Sequence, residues 1–130
     1  MAQQPLNTYK TITGVVSTTD TQIYSTKTGY TSIVLYAQVA NTGIGTLVGV
    51  GTITFSHQRE NRNQSGITTE ITEIIKNIIV PPNDALIILD GRLVLERTAL
   101  KTDSIRLVGI SSTIPNTLKY TISILETLNQ

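Results

Sequence analysis

One pair of residues, Asp90-Gly91, sits between two apolar runs, Ala85 to Leu89 and Arg92 to Glu96. Asp-Gly suits a two-residue hairpin turn, because both central residues of that turn need positive φ. Both flanks have the length and composition of strands. Just upstream, Pro81-Pro82 ends whatever precedes it, since neither residue donates a backbone N–H. The stretch predicts a hairpin with Asp90 and Gly91 as its structural turn, and a chain of strands packed around it.

The rest of the sequence keeps to that theme. From Tyr9 to Thr18 a strand is expected, with Tyr9, Thr11, Thr13 and Val15 on one face and Ile12 and Val16 on the other. A short strand follows over Thr21 to Ser25, between turns at Thr19-Asp20 and Lys27-Thr28-Gly29. In Tyr30 to Ala40, Ile33, Leu35, Ala37 and Val39 alternate with Ser32, Val34, Tyr36 and Gln38. The second of these faces is not fully polar. Val34 and Tyr36 are therefore candidates for a subunit interface.

Asn41 to Gly51 is rich in glycine but precedes a strand, Val50 to Ser56, and a phosphate cradle needs a helix N-terminus behind its glycines. The run His57 to Gly66 is the most polar in the chain and reads as an exposed loop, with Arg59 and Arg62 available for a phosphate or a partner's carboxylate. Gly66 to Val80 is ambiguous. Ile67, Ile71, Ile74, Ile75 and Ile78 fit one face of a helix, but β-branched residues dominate and favour a strand, which is the reading preferred. Further on, Thr102-Asp103-Ser104 is expected to turn into a strand over Ile105 to Ile110, and Ser111 to Asn116 to form a loop. In the last strand, over Lys119 to Leu128, Tyr120, Ile122 and Ile124 should face the core, with Leu118 just ahead of it doing the same. About eight or nine short strands with no secure helix define an all-β chain, an antiparallel two-layer sandwich that is jelly-roll-like. Residues 1–8 are expected to be a flexible N-terminal arm and 9–130 one β-sandwich domain.

Composition narrows the chemistry. At 130 residues the chain fits one domain that can bury a core without disulfides, and it has no cysteine. That excludes thiolate metal sites and cysteine nucleophiles. A net charge of +1 argues against a nucleic-acid partner. No apolar run reaches the ~18 residues of a membrane span, and the first residues lack the pattern of a signal peptide, so no membrane partner and an origin in a cytoplasm are expected. The lone histidine, His57, has no nucleophile motif beside it and cannot ligate zinc alone. Asp20, Asp84, Asp90 and Asp103 fall in expected turns, and Glu96 could pair with Arg106 across adjacent strands, worth only a few tenths of a kcal/mol if exposed. No catalytic, cofactor-binding or metal residue is assigned, no cofactor is expected, and the chain is read as not an enzyme.

The order of segments resembles a group of small all-β virion structural proteins of tailed bacteriophages, especially marine phages of cyanobacteria. The likeness runs over residues 21 to 127: Thr21 to Ser25, then Thr31 to Thr42, then Ile79 to Glu96, an Asp-Ser step at Asp103-Ser104, and the closing strand Tyr120 to Glu126. The sequence departs from that pattern where Arg97 to Thr102 intervenes before the Asp-Ser step, and the segment His57 to Gly66 is long for the group. The resemblance implies a non-enzymatic virion building block of head, neck or tail, assembled in the host cytoplasm, a homo-oligomer in the particle with other virion proteins as partners. The alternative is a receptor- or carbohydrate-binding module on the same scaffold, using the segments 41–51 and 57–66.

Overall fold

The computed structural model describes residues 7–42, 49–111 and 117–129. Nine strands run in chain order: β1 (Asn7–Val15), β2 (Thr21–Ser25), β3 (Tyr30–Asn41), β4 (Gly51–Asn63), β5 (Gly66–Val80), β6 (Asp84–Ile87), β7 (Leu93–Leu95), β8 (Lys101–Ser111) and β9 (Leu118–Leu128). They form two sheets. One has the order β1-β9-β3-β6, with β7 also on β3, and the other β2-β8-β4-β5. Every pairing is antiparallel.

Between the sheets lies a core of Val34, Ala37, Val39, Ile53, Phe55, Val80, Leu95, Ile105, Leu107, Ile122 and Ile124, none more than 1% exposed. Alternation places these residues, because successive side chains of a strand point to opposite faces. In β9, Leu118, Ile122 and Ile124 point inward as expected.

The expected hairpin at Asp90-Gly91 is not there. β6 and β7 do not pair with each other. Both run antiparallel to β3, β6 against Gln38–Asn41 and β7 against Ser32–Val34. They are two pieces of one edge strand, and the chain bows out between them without reversing. The five residues Ile88–Arg92 span the gap opposite the three residues Leu35–Ala37, so a local excess of chain must bulge. Within the bow, Ile88 N–H still donates to the Ala37 carbonyl at 2.9 Å. Gly91 does hold positive φ, +97°, but Asp90 does not, so the two-residue turn that needs both is not formed. Counted as one strand, β6/β7 makes the two sheets a four-plus-four jelly roll.

Bulges explain the next differences. β3 shifts register between Val34 and Tyr36, so Ser32 and Val34 face the core on one side of Leu35, and Ala37 and Val39 face it on the other. Val34 is fully buried and is not a surface residue. The strand expected over residues 66–80 is present, with register shifts opposite Ile53–Phe55 and Phe55–Ser56. Asn77 sits at φ +51° in the first of these, its N–H donating to Thr54 Oγ1 at 3.0 Å. Each shift inserts one residue and breaks the period of two, which is why the isoleucines mimicked a helical face.

The run His57 to Gly66 is not a loop. Residues 57–63 complete β4, with 57–61 between β5 and β8 and 62–63 paired with β5 alone, and the chain turns only at Gln64-Ser65. Asn63 Oδ1 closes that turn, accepting from Ser65 N–H at 3.0 Å. Likewise Thr102-Asp103-Ser104 lies inside β8. β1 begins at Asn7, so the last two residues of the expected arm are paired strand. The rest of the arm, the core of the glycine-rich segment and residues 112–116 lie outside the described residues.

Gly91 has nothing within 4 Å of an added Cβ, so a substitution there meets only backbone strain. Gly91→Val is expected to cost about 1–3 kcal/mol, read by chemical denaturation. An unchanged midpoint would show that the bow relaxes to negative φ.

Candidate assembly surface and the polar clusters behind it

The outer face of the first sheet is a broad surface poor in charge among the described residues. Reading outward positions across it, Tyr9 lies opposite Leu125, Leu125 opposite Ile33, and Ile33 opposite Val94. This is a continuous apolar row from one edge of the sheet to the other. Tyr9 is 77% exposed and Val94 50%. Beside the row, Thr11, Ser123 and Tyr36 follow, then Thr13, Thr121, Gln38 and Ile87. Along these register positions the sole charged residue is Lys119, at the end of β9. Of the two residues singled out as an interface, Tyr36 lies on this face, 36% exposed, its hydroxyl donating to Gln38 Oε1. Val34 lies on the opposite side of the same sheet, in the core.

The second sheet is different. Its outward positions carry charge: Arg106 Nε donates to Asp20 Oδ2 at 3.0 Å and its Nη1 to Gln58 Oε1 at 3.0 Å. Arg106 therefore pairs with Asp20, not with Glu96. Its edge strand β5 leaves Ile67, Ile71 and Ile79 more than half exposed.

The charges expected in a loop and a turn meet inside the sandwich. Arg59 on β4 and Asp103 on β8 are register partners on the inner face. The guanidinium grips the carboxylate with both prongs, Nε to Oδ1 at 2.7 Å and Nη2 to Oδ2 at 2.8 Å. The same Nη2 donates to Glu96 Oε2 at 2.8 Å, and Glu96 N–H donates to Asp103 Oδ2 at 2.9 Å. Asp103 is fully buried. Burial alone would push its carboxyl up. The hydrogen bonds from Arg59 and Glu96 N–H outweigh that and hold it below the usual carboxylate range. The bond to Asp103 likewise raises Arg59 above its already high ordinary value.

His57 Nε2 lies 3.5 Å from Asp103 Oδ1 and makes no hydrogen bond. Among the described residues no group of three or more His, Cys, Asp or Glu is placed to hold a metal ion.

A second buried cluster ties the sheets together. Tyr24 on β2 donates its hydroxyl to Glu126 Oε2 on β9 and accepts from Ser32 on β3 at 2.8 Å. Lys27 Nζ approaches Glu126 Oε1 at 3.1 Å. Burial pushes the Tyr24 hydroxyl up, and the bond to Glu126 adds to the effect. Burial pushes Glu126 up too, but Tyr24 and Lys27 bring it below its ordinary value. Sequence reading missed both clusters. The signal available was a few charges inside strand-like runs of a chain otherwise poor in charge.

No protein-family model matches the chain, and no curated protein matches it. Among solved structures, it is similar to a subunit of Bacillus endospore appendages, described as a family of disulfide-linked pili, at TM-score 0.43 and 16% identity over 95% of this chain and 88% of that one. It is also similar to a chain of the infectious bursal disease virus Gt strain, at TM-score 0.44 and 10% identity, covering 94% of this chain and 31% of the other. A third likeness is to turnip yellow mosaic virus, at TM-score 0.31 and 14% identity, over 98% of this chain and 95% of that one.

Asp103 and Glu126 have folded values below their unfolded ones, about 3.9 and 4.3. Their contribution to stability is therefore present above pH ~4 and lost as pH falls through the folded values. Tyr24 has the opposite sign: its contribution is present below about pH 10 and lost at higher pH. Asp103→Asn is expected to cost about 3 kcal/mol at neutral pH, and the difference from wild type should narrow in acid. Equal denaturation midpoints at neutral pH would contradict the assignment.

Proposed function

We propose that this chain is a non-enzymatic structural subunit of a tailed-bacteriophage virion, a head-decoration, neck or tail component. It acts through contacts with other copies of itself and with other virion proteins. The observation that carries this reading is the charge-poor outer face of the first sheet with its apolar row Tyr9–Leu125–Ile33–Val94. Interface cores are depleted in charge and enriched in tyrosine. A face with almost no charge gains little from a charged partner and does not repel a copy of itself.

The size of the face also fits. Four strands abreast at ~4.8 Å and eleven residues at ~3.4 Å give about 700 Å², close to the ~800 Å² per partner of a stable interface. The jelly-roll strand order is an architecture used by capsid proteins, though also by lectins and cupins. The resemblance of the segment order to phage structural proteins favours the virion reading among these. In this reading Tyr36 is an interface residue, and the interior polar clusters serve the fold, with no cofactor, nucleic acid or membrane involved.

Mass spectrometry of purified particles should find the chain as a constituent, and its absence would sink the proposal. Val94→Lys places a desolvated like charge on each copy. It is expected to leave the melting temperature unchanged and to weaken self-association about tenfold or more, measured by sedimentation.

A further inference from the structure

One end of the sandwich carries a cleft of about 400 Å³ built by three separate parts of the chain. The β2–β3 turn supplies Thr28 and Gly29, the end of β4 supplies Arg62, and the β7–β8 connection with the start of β8 supplies Arg97, Thr98 and Thr102. The lining contains two arginines and three threonine hydroxyls but no carboxylate. Glu60, opposite Thr102 in the register, is not part of it.

Among the described residues neither arginine is neutralised: Arg59 and Arg106 are in ion pairs, whereas Arg62 and Arg97 are in none. Arg97 Nη1 donates to the Thr26 carbonyl at 3.2 Å, which anchors the guanidinium and leaves its other N–H groups uncommitted.

The walls are fixed before any ligand arrives. Thr98 Oγ1 accepts from Lys101 N–H at 3.0 Å and from Leu100 N–H at 3.2 Å, and Thr98 N–H donates to the Lys101 carbonyl at 2.8 Å. On the other side Tyr30 N–H donates to the Lys27 carbonyl at 3.1 Å, and Asn129 N–H to the Gly29 carbonyl at 2.8 Å. Gly29 holds φ +85°, which keeps this turn tight. Behind the cleft the Arg59–Asp103–Glu96 cluster pins the residues next to Arg97 and Thr102. Two unpaired guanidinium groups on a rigid concave frame form a focused positive site. Their planar forks match carboxylate and phosphate oxygens. Thr28 and Thr102 bring hydroxyls that can donate or accept to the lining, while Thr98, whose oxygen already accepts two backbone N–H groups, can offer only its O–H. A second depression of about 440 Å³, lined by Arg62, Asn63, Gln64 and Leu100, adjoins the cleft through Arg62 and gives room for a longer ligand.

We propose that the cleft between Arg62 and Arg97 binds the anionic group of an acidic sugar, a carboxylate or phosphate carried on a hydroxylated ring. The inference rests on the cleft itself and not on the assembly reading, so either can fail alone.

The test is calorimetric titration of the full chain in low salt with sodium glucuronate, with inorganic phosphate and with glucose. At least one of the two anions is expected to bind at millimolar concentration, with glucose silent. Binding of glucuronate alone assigns a carboxylate ligand, and of phosphate alone a phosphorylated one. Arg62→Gln, at an exposed position, should weaken binding about tenfold or more with an unchanged melting temperature, and Arg97→Gln should weaken binding as much while also losing its bond to the Thr26 carbonyl. Absence of binding by both anions, glucose binding as well as they do, or anion binding that survives both substitutions would overturn the proposal.

Discussion

The grip of Arg59 on Asp103 is the interaction on which one whole end of this sandwich depends. A fully buried carboxylate is costly unless its oxygens are satisfied, and here both oxygens are met by the two prongs of one guanidinium and by a backbone N–H. The consequences spread from that point. Asp103 joins β8 to β4, its N–H donates to the Glu96 carbonyl at 3.0 Å, and its own carbonyl accepts from Thr26 N–H at 3.2 Å. The β7–β8 connection and the segment after β2 are thereby fixed to the same residue. The Tyr24–Glu126 cluster closes the gap between the sheets on β2, β3 and β9. A polar interior at this end makes the loops rigid, and rigid loops are what allow a defined cleft between Arg62 and Arg97.

The first sheet follows a different rule. Its inner face is apolar core, and its outer face carries threonine, serine, tyrosine and aliphatic residues with almost no charge. The chain places most of its charged side chains on the second sheet or inside the cluster. An ordinary solvent-facing sheet would alternate apolar and charged residues. The unusual side of this molecule is therefore the one proposed to meet another subunit. The two proposed activities of the surface are spatially separate, one on a sheet face and the other at an end of the sandwich.

How much of this was legible in the sequence depended on whether the governing interaction was local. Alternation in Leu118 to Leu128 located β9 and its buried face, and β-branched composition identified β5 despite a helix-like spacing of its isoleucines. What failed was decided elsewhere in the chain. Gly91 permits positive φ wherever it sits, but whether the chain reverses there depends on β3, which holds β6 and β7 end to end. The bulge at Leu35 turned Val34 inward, and no pattern within the strand announced it. His57 to Asn63 looked like a loop because its charges were counted as solvated, whereas Arg59 finds Asp103 forty-four residues away. Arg62 was noted as a candidate for an anion, but Arg97 was read as mere connection. Only the fold brings the two to one cleft.

The central claim is that the outer face of the first sheet is completed by another copy of the chain. Light scattering behind a sizing column, run over a range of concentrations, tests it most directly. The account predicts a mass that is a multiple of 14.1 kDa and that rises toward a closed assembly with concentration. A mass of one chain at every concentration would contradict it.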